Sequence, residues 1–141
     1  MSDINLLRQS MDAELKRAVI PALRTAGFKG SFPHLRRAGQ DWIDLITFQF
    51  DRHGGGFVIE IARCDLTGTI THWGKHIPPD KVRAWDLHPD RRKRLQPCDG
   101  SGRDSWFRFD EEPVDVISAD VKVLLQSSET WDDVPIPSSA A

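Results

Sequence analysis

The sequence predicts an α+β domain: an N-terminal helix, an antiparallel meander of about four strands, and a C-terminal helix packed on one sheet face. Two patterns carry this. Apolar residues recur every third or fourth position at both ends of the chain, and every second position between them. The length of 141 residues, at 39% hydrophobic and 28% charged, suits one globular domain over 1–141, with about 132–141 as a loose tail.

Residues from about Asp3 to Ala26 predict the first helix. Ile4, Leu7, Met11, Leu15, Ala18, Ala22 and Ala26 share one face. Ser2 or Asp3 caps its start, and Gly27 suits the left-handed position past its end. Pro21 removes a backbone donor inside this pattern, so a kink or break is expected there. SFPHLRR follows as a short edge strand, where Pro33 costs no ladder bond. WIDLITFQF puts Trp42, Ile46, Phe48 and Phe50 on one strand face. FVIEIA puts Phe57, Ile59 and Ile61 opposite Val58, Glu60 and Ala62.

Gly54, Gly55 and Gly56 lie between these two strands. A phosphate-binding loop needs a helix after its glycines, and a strand pattern follows here without a GK[ST] signature. The run therefore reads as a hairpin loop supplying positive φ angles. LTGTIT is a further candidate for the sheet, and PPDKVRAW for a short helix. The rest of 64–104 reads as loop, and it is where a site is to be sought. SWFRF reads as the last strand. Pro113 opens a helix to about residue 127 with Ile117, Val121, Leu124 and Leu125 as its stripe. Trp131, Val134 and Ile136 can pin the tail.

Four constellations could carry chemistry. His72 and His76, with His88 and Cys98 downstream, offer nitrogen and sulfur ligands. Gly74 and the nearby prolines argue against a helix presenting them together, so no metal is assigned. Cys64 lacks a local base or a cationic neighbour to activate it, and reads as core. Glu60 could be a general base, but alternation puts it on the solvent-facing or helix-free side, paired with Arg63 or a cross-strand base. RRKRL with Trp85 and Trp106 could attract nucleic acid, yet four bases in a mildly acidic chain are a modest footprint. No catalytic residue and no cofactor is assigned.

Composition excludes other classes. No apolar run is long enough for a membrane helix, and the N-terminus lacks the basic-then-apolar order of a signal peptide, so the expected location is cytoplasmic. Two cysteines are too few for a disulfide framework. The net charge of −2 divides unevenly: residues 110–141 carry −7 and the remainder +5. Such polarity can steer a charged partner, though two solvated faces would look the same.

LRTAGF, KGSF, LRR, ITFQF and FVIEIA, followed by RRKRL, the Trp106–Phe107 pair and a C-terminal helix, occur in an order that resembles the bacterial family labelled only "domain of unknown function 4304". The resemblance covers nearly the whole chain and departs from the family pattern at Pro33–His34. It implies the same α+β fold and supplies no catalytic residues. Small α+β domains of this kind are often immunity proteins of bacterial toxin systems, an analogy of fold and context. It implies a non-enzymatic protein-binding module that neutralises a toxin by occlusion. Asp110, Glu111, Glu112, Asp115, Asp132 and Asp133 would then meet a basic partner. The competing expectation is a small enzyme or ligand binder using 64–104.

Overall fold

The computed structural model describes residues 2–95, 97 and 106–137. The chain begins with one continuous helical rod made of α1 (Ser2–Glu14), a π-helical turn (Leu15–Val19) and α2 (Ile20–Thr25). Pro21 neither breaks nor ends it. Proline cannot donate to the turn behind it, so the helix widens just upstream and Ile20 N–H reaches five residues back to Leu15 O. Gly27, at φ +100°, closes the rod, and Phe28 folds back beneath it with its amide on Leu23 O.

Four strands build the main sheet in the order β1 (His34–Ala38), β2 (Ile43–Phe50), β3 (Gly56–Cys64) and β6 (Arg92–Leu95), all antiparallel. A fifth, β7 (Phe107–Arg108), pairs with β3 at Gly56 and Phe57. The fourth main position therefore belongs to RRKRL, expected as loop, whereas SWFRF contributes only a two-residue strand. LTGTIT does not extend this sheet. Its β4 (Thr69–Ile70) pairs with β5 (His76–Ile77) in a separate hairpin, and PPDKVRAW yields only a 3-10 turn at Ala84–Asp86. The outer edge of β1 is partly covered, because Lys29 and Arg36 exchange backbone hydrogen bonds of 2.8 Å. That cover blunts the edge as a template for another chain.

The glycine run is a hairpin corner, but its φ angles are not the left-handed ones expected. The close approach of other groups explains its residues instead. A Cβ on Gly55 would run into the Asp110 side chain, and one on Gly54 into the Asp51 carboxylate.

Both faces of the sheet are covered. On one, Met11, Leu15, Val19 and Leu23 of the rod and Ile117, Val121 and Leu125 of α3 (Val114–Gln126) bury Ile46, Phe48, Phe57, Ile59 and Ile61. Trp131 and Val134 complete this core, so the chain stays packed beyond α3 and into the stretch expected to be loose. The opposite face carries a smaller core, in which Val82, Ala84 and Leu87 cover Ile43, Leu45, Ala62 and Cys64. This second layer corrects the expectation for Glu60. Its face is free of α-helix but not solvated, and Glu60 is only 6% exposed. Arg92 Nη1 donates to Glu60 Oε1 at 2.8 Å, and Arg94 Nη2 stands 3.7 Å from Oε2. The carboxylate is compensated by two cross-strand arginines rather than by Arg63.

The same layer holds His34. Thr47 Oγ1 accepts the Ala84 amide at 3.2 Å and lies 3.1 Å from His34 Nδ1, with Trp85 edge-on to the ring at 4.5 Å. A hydroxyl already accepting from Ala84 is best placed to donate to an unprotonated Nδ1. Burial, reinforced by the Arg83 guanidinium, pushes this imidazole down to about 4. Below pH 6.5 the unfolded histidine binds a proton that the folded one refuses until about pH 4. Stability therefore falls as pH drops through that window and levels off beneath it. At a half-buried ring screened by solvent the loss is about 1–2 kcal/mol. Urea midpoints of the native chain and His34→Gln at neutral and acidic pH check this. The gap between them should change with pH, and a constant gap would refute it.

Candidate functional site

A cleft of about 810 Å³ opens at the Cys64 end of the long hairpin. One wall is the run from Arg63 to Trp73, which includes β4. The other is the run from Trp85 to Arg92, and Pro137 closes one side. Both walls come from the irregular segment singled out in the sequence, apart from Arg63 and Pro137. The β4–β5 hairpin is set by Gly68 at φ +97°, where a Cβ would collide with Ile77 O. Thr71 fastens its tip, with its hydroxyl bonded to both the carbonyl and the amide of Lys75.

The cleft wall is aromatic and cationic. Trp73 is 66% exposed and Trp85 42% exposed, and Ile70 beside them is 70% exposed. Arg63, Arg91 and Arg92 also line the cleft, and each is already engaged within the fold. Arg63 donates to Asp44 and to Val134 O, Arg91 to Ile136 O, and Arg92 to Glu60. Arg63 also sits over the Trp42 ring at 4.8 Å. Asp65 and Asp86 supply the acidic groups of the lining.

The sequence candidates distribute as follows. Cys64 lines the cleft, but burial and the neighbouring Asp65 push its thiol up to about 12, and it donates to Asp65 O. A thiol in that state is not an activated nucleophile. His72 packs edge-on against Trp73, His76 Nε2 faces Thr67 O at 2.8 Å, and His88 Nδ1 accepts the Asp90 amide. Each histidine has its own local partner. Among the described residues no three His, Cys, Asp or Glu side chains gather as metal ligands, and Cys98 lies outside those residues. The basic run 91–94 is spent internally. Arg91 serves Ile136, Arg92 and Arg94 serve Glu60, and Lys93 serves Thr130 O and Asp133.

The six acidic candidates fall into two groups. Asp110, Glu111, Glu112 and Asp115 are exposed at the start of α3, where Asp110 N–H reaches Gly55 O at the hairpin corner. Asp132 and Asp133 are exposed past the other end of α3, a helix of 13 residues, which spans about 20 Å. Asp133 is bonded to Lys93, whose ammonium holds its carboxyl below the usual range. The first group forms no ion pair among the described residues. The cleft and this group occupy opposite ends of β3, whose nine residues extend about 26 Å.

The order of these elements along the chain matches a known family model, described as Domain of unknown function (DUF4304), over residues 19–131. The chain belongs to this family. The match spans the sheet, the cleft walls and α3, and leaves out all of α1 and the π-helical turn up to Val19. Neither a curated protein nor a solved structure matches the chain. The DUF4304 assignment agrees with the resemblance carried by LRTAGF, ITFQF, FVIEIA and RRKRL, and it names no activity. No helix among the described residues is long and apolar enough to cross a membrane.

In sequence terms, Trp73, Ile70 and Leu66 escaped notice as a surface. The available signal was three large apolar residues in a short stretch rich in Gly and Thr, too irregular to fold inward as one stripe.

Proposed function

We propose that this DUF4304 protein is a non-enzymatic protein-binding module that contacts its partner through the tryptophan-walled cleft. One observation carries the reading. Of the eight exposed large hydrophobic residues among those described, three (Ile70, Trp73 and Trp85) line this one cleft, both exposed tryptophans among them. Exposed apolar side chains concentrated at one place mark interaction sites, and tryptophan is a favoured anchor. The protonated Cys64 and the locally occupied histidines leave the cleft without a prepared nucleophile or base, which favours binding over turnover.

A second reading rests on Asp110, Glu111, Glu112 and Asp115, exposed and free of ion pairs among the described residues. This acidic group would dock a basic partner such as a toxin and occlude it, as an immunity protein does, with association speeded by opposite charge.

Affinity capture from the native cells separates the two, using the native chain, Trp73→Ala, and the triple variant Asp110→Lys, Glu111→Lys, Glu112→Lys. The cleft reading expects a stoichiometric partner that Trp73→Ala loses, with affinity down about tenfold or more, and that the triple variant keeps. The reverse pattern would transfer the function to the acidic group. A partner indifferent to both sets would refute both surfaces.

A further inference from the structure

We propose that the cleft takes an extended, uncharged, proline-containing segment of a partner protein. This rests on the cleft being the protein-binding surface and adds the chemistry of its occupant. The chain's own residues 134–137 supply the pattern. They read Val-Pro-Ile-Pro and run up to the cleft, where Pro137 is buried and forms part of the lining. Arg63 Nη1 donates to Val134 O at 3.3 Å, and Arg91 Nη2 donates to Ile136 O at 2.9 Å. Both carbonyls precede a proline, and they stand two residues apart. A residue before proline is biased to extended backbone, and proline itself has no N–H. Such a segment presents chiefly carbonyl acceptors and apolar rings. Two arginines of the cleft already serve those acceptors within the fold.

The tryptophans extend the same chemistry. Trp73 stands on one wall and Trp85 on the other, 66% and 42% exposed. Aromatic-lined grooves suit proline-rich segments, and an indole N–H adds a donor for a carbonyl. A segment stiffened by proline also loses little conformational freedom on docking. The charges of the lining favour an uncharged occupant. Arg63 is paired with Asp44, and Arg92 with Glu60. Arg91 remains, together with the acidic Asp65 and Asp86. No single sign of charge dominates, so the lining selects neither an acidic nor a basic peptide. Two carboxylates in the lining also disfavour the successive phosphates of a nucleic acid.

The test is to pan a random-peptide phage library against the full chain. The selected peptides are then made synthetically, each also with its prolines replaced by alanine. Both forms are titrated calorimetrically against the native protein and Trp73→Ala, at low and high salt, with a thymidine oligonucleotide titrated in parallel. Circular dichroism checks that the variant is folded. Expected are uncharged peptides with proline following an apolar residue. Their affinity should fall about tenfold with Trp73→Ala and with the loss of proline, and salt should change it little. Peptides that depend on Trp73 but are charged, or indifferent to the loss of proline, would overturn this occupant and leave the binding module standing. Peptides that bind Trp73→Ala equally well would overturn it too, since their site lies elsewhere. No enrichment would also overturn it, and the module would then stand or fall with the loss of captured partner in Trp73→Ala. Binding of the oligonucleotide through Trp73 would assign the cleft to nucleic acid instead.

Discussion

Phe57→Ala should lower the stability of the fold by about 3–5 kcal/mol, the usual cost of emptying a buried phenylalanine site. Phe57 is fully buried at the start of β3. Its ring stands 5.1 Å from both Phe50 and Phe107 and 6.3 Å from Phe48, measured between centroids. Truncation would remove one member from every one of these pairs. It would also loosen β7, whose Phe107 is its register partner. Domains of this size are stable by only about 5–15 kcal/mol. The urea midpoint of the variant should therefore fall far below that of the native chain. Phe32→Ala makes the control, since Phe32 is only partly buried at the edge of the same cluster. Equal midpoints for the two variants would contradict the central role given to Phe57.

The second large effect is expected at Asp44, which sits in the helix-covered face of β2. Its carboxylate accepts from Arg37 at 2.8 and 3.2 Å, from Arg63 Nε at 3.3 Å and from Trp42 Nε1 at 3.1 Å. Arg63 passes the arrangement on to Val134 O and to the Trp131 ring, so one acidic group ties β1, β2, β3 and the segment after α3 together. Asp44→Ala would leave the largely buried Arg63 guanidinium, and the more open one of Arg37, without their counter-charge, at a cost of about 2–3 kcal/mol after discounting for solvent at Arg37. Asp44→Asn keeps the volume and part of the hydrogen bonding, and should cost visibly less. If both substitutions shift the midpoint equally, shape rather than charge is what Asp44 supplies. Because Arg63 lines the cleft, the Ala variant should also weaken any ligand that contacts Arg63.

Much of the fold was legible because its main elements obey a period. The long hairpin alternates cleanly, and the α3 stripe falls on Ile117, Val121 and Leu125 as read. What failed was local. RRKRL looks like a solvated basic run when read alone. In place, Arg92 and Arg94 lie on the Glu60 side of β6, while Leu95 enters the main core from the other side. A lone acid in an apolar strand needs neutralising neighbours, and two bases two residues apart are what an adjacent strand would present. That pairing was available in the sequence as a combination, not in either string. The cleft was legible only as a location. Its walls are brought together by the second core, whose Val82, Ala84 and Leu87 follow no period. The acidic surface illustrates the same limit. Composition counts Asp132 and Asp133 with Asp110, Glu111 and Glu112, and only the run of α3 shows them at opposite ends.

The widened turn at Leu15–Val19 has a consequence for how this chain can vary. Residues four apart in an α-helix creep around the axis by about 40° each time, so a long stripe such as Leu7, Met11, Leu15 and Val19 gradually turns away from a flat sheet. The wide turn takes that creep back before Ile20 and Leu23, as a leap day realigns a calendar. Counting therefore matters more here than identity. Exchanging one apolar residue for another at Leu15 or Val19 leaves the alignment intact, whereas gaining or losing a single residue would swing Ser2–Glu14 by about 100° against the sheet. Drift in the length of this stretch is then barred, even though nothing in it touches the cleft.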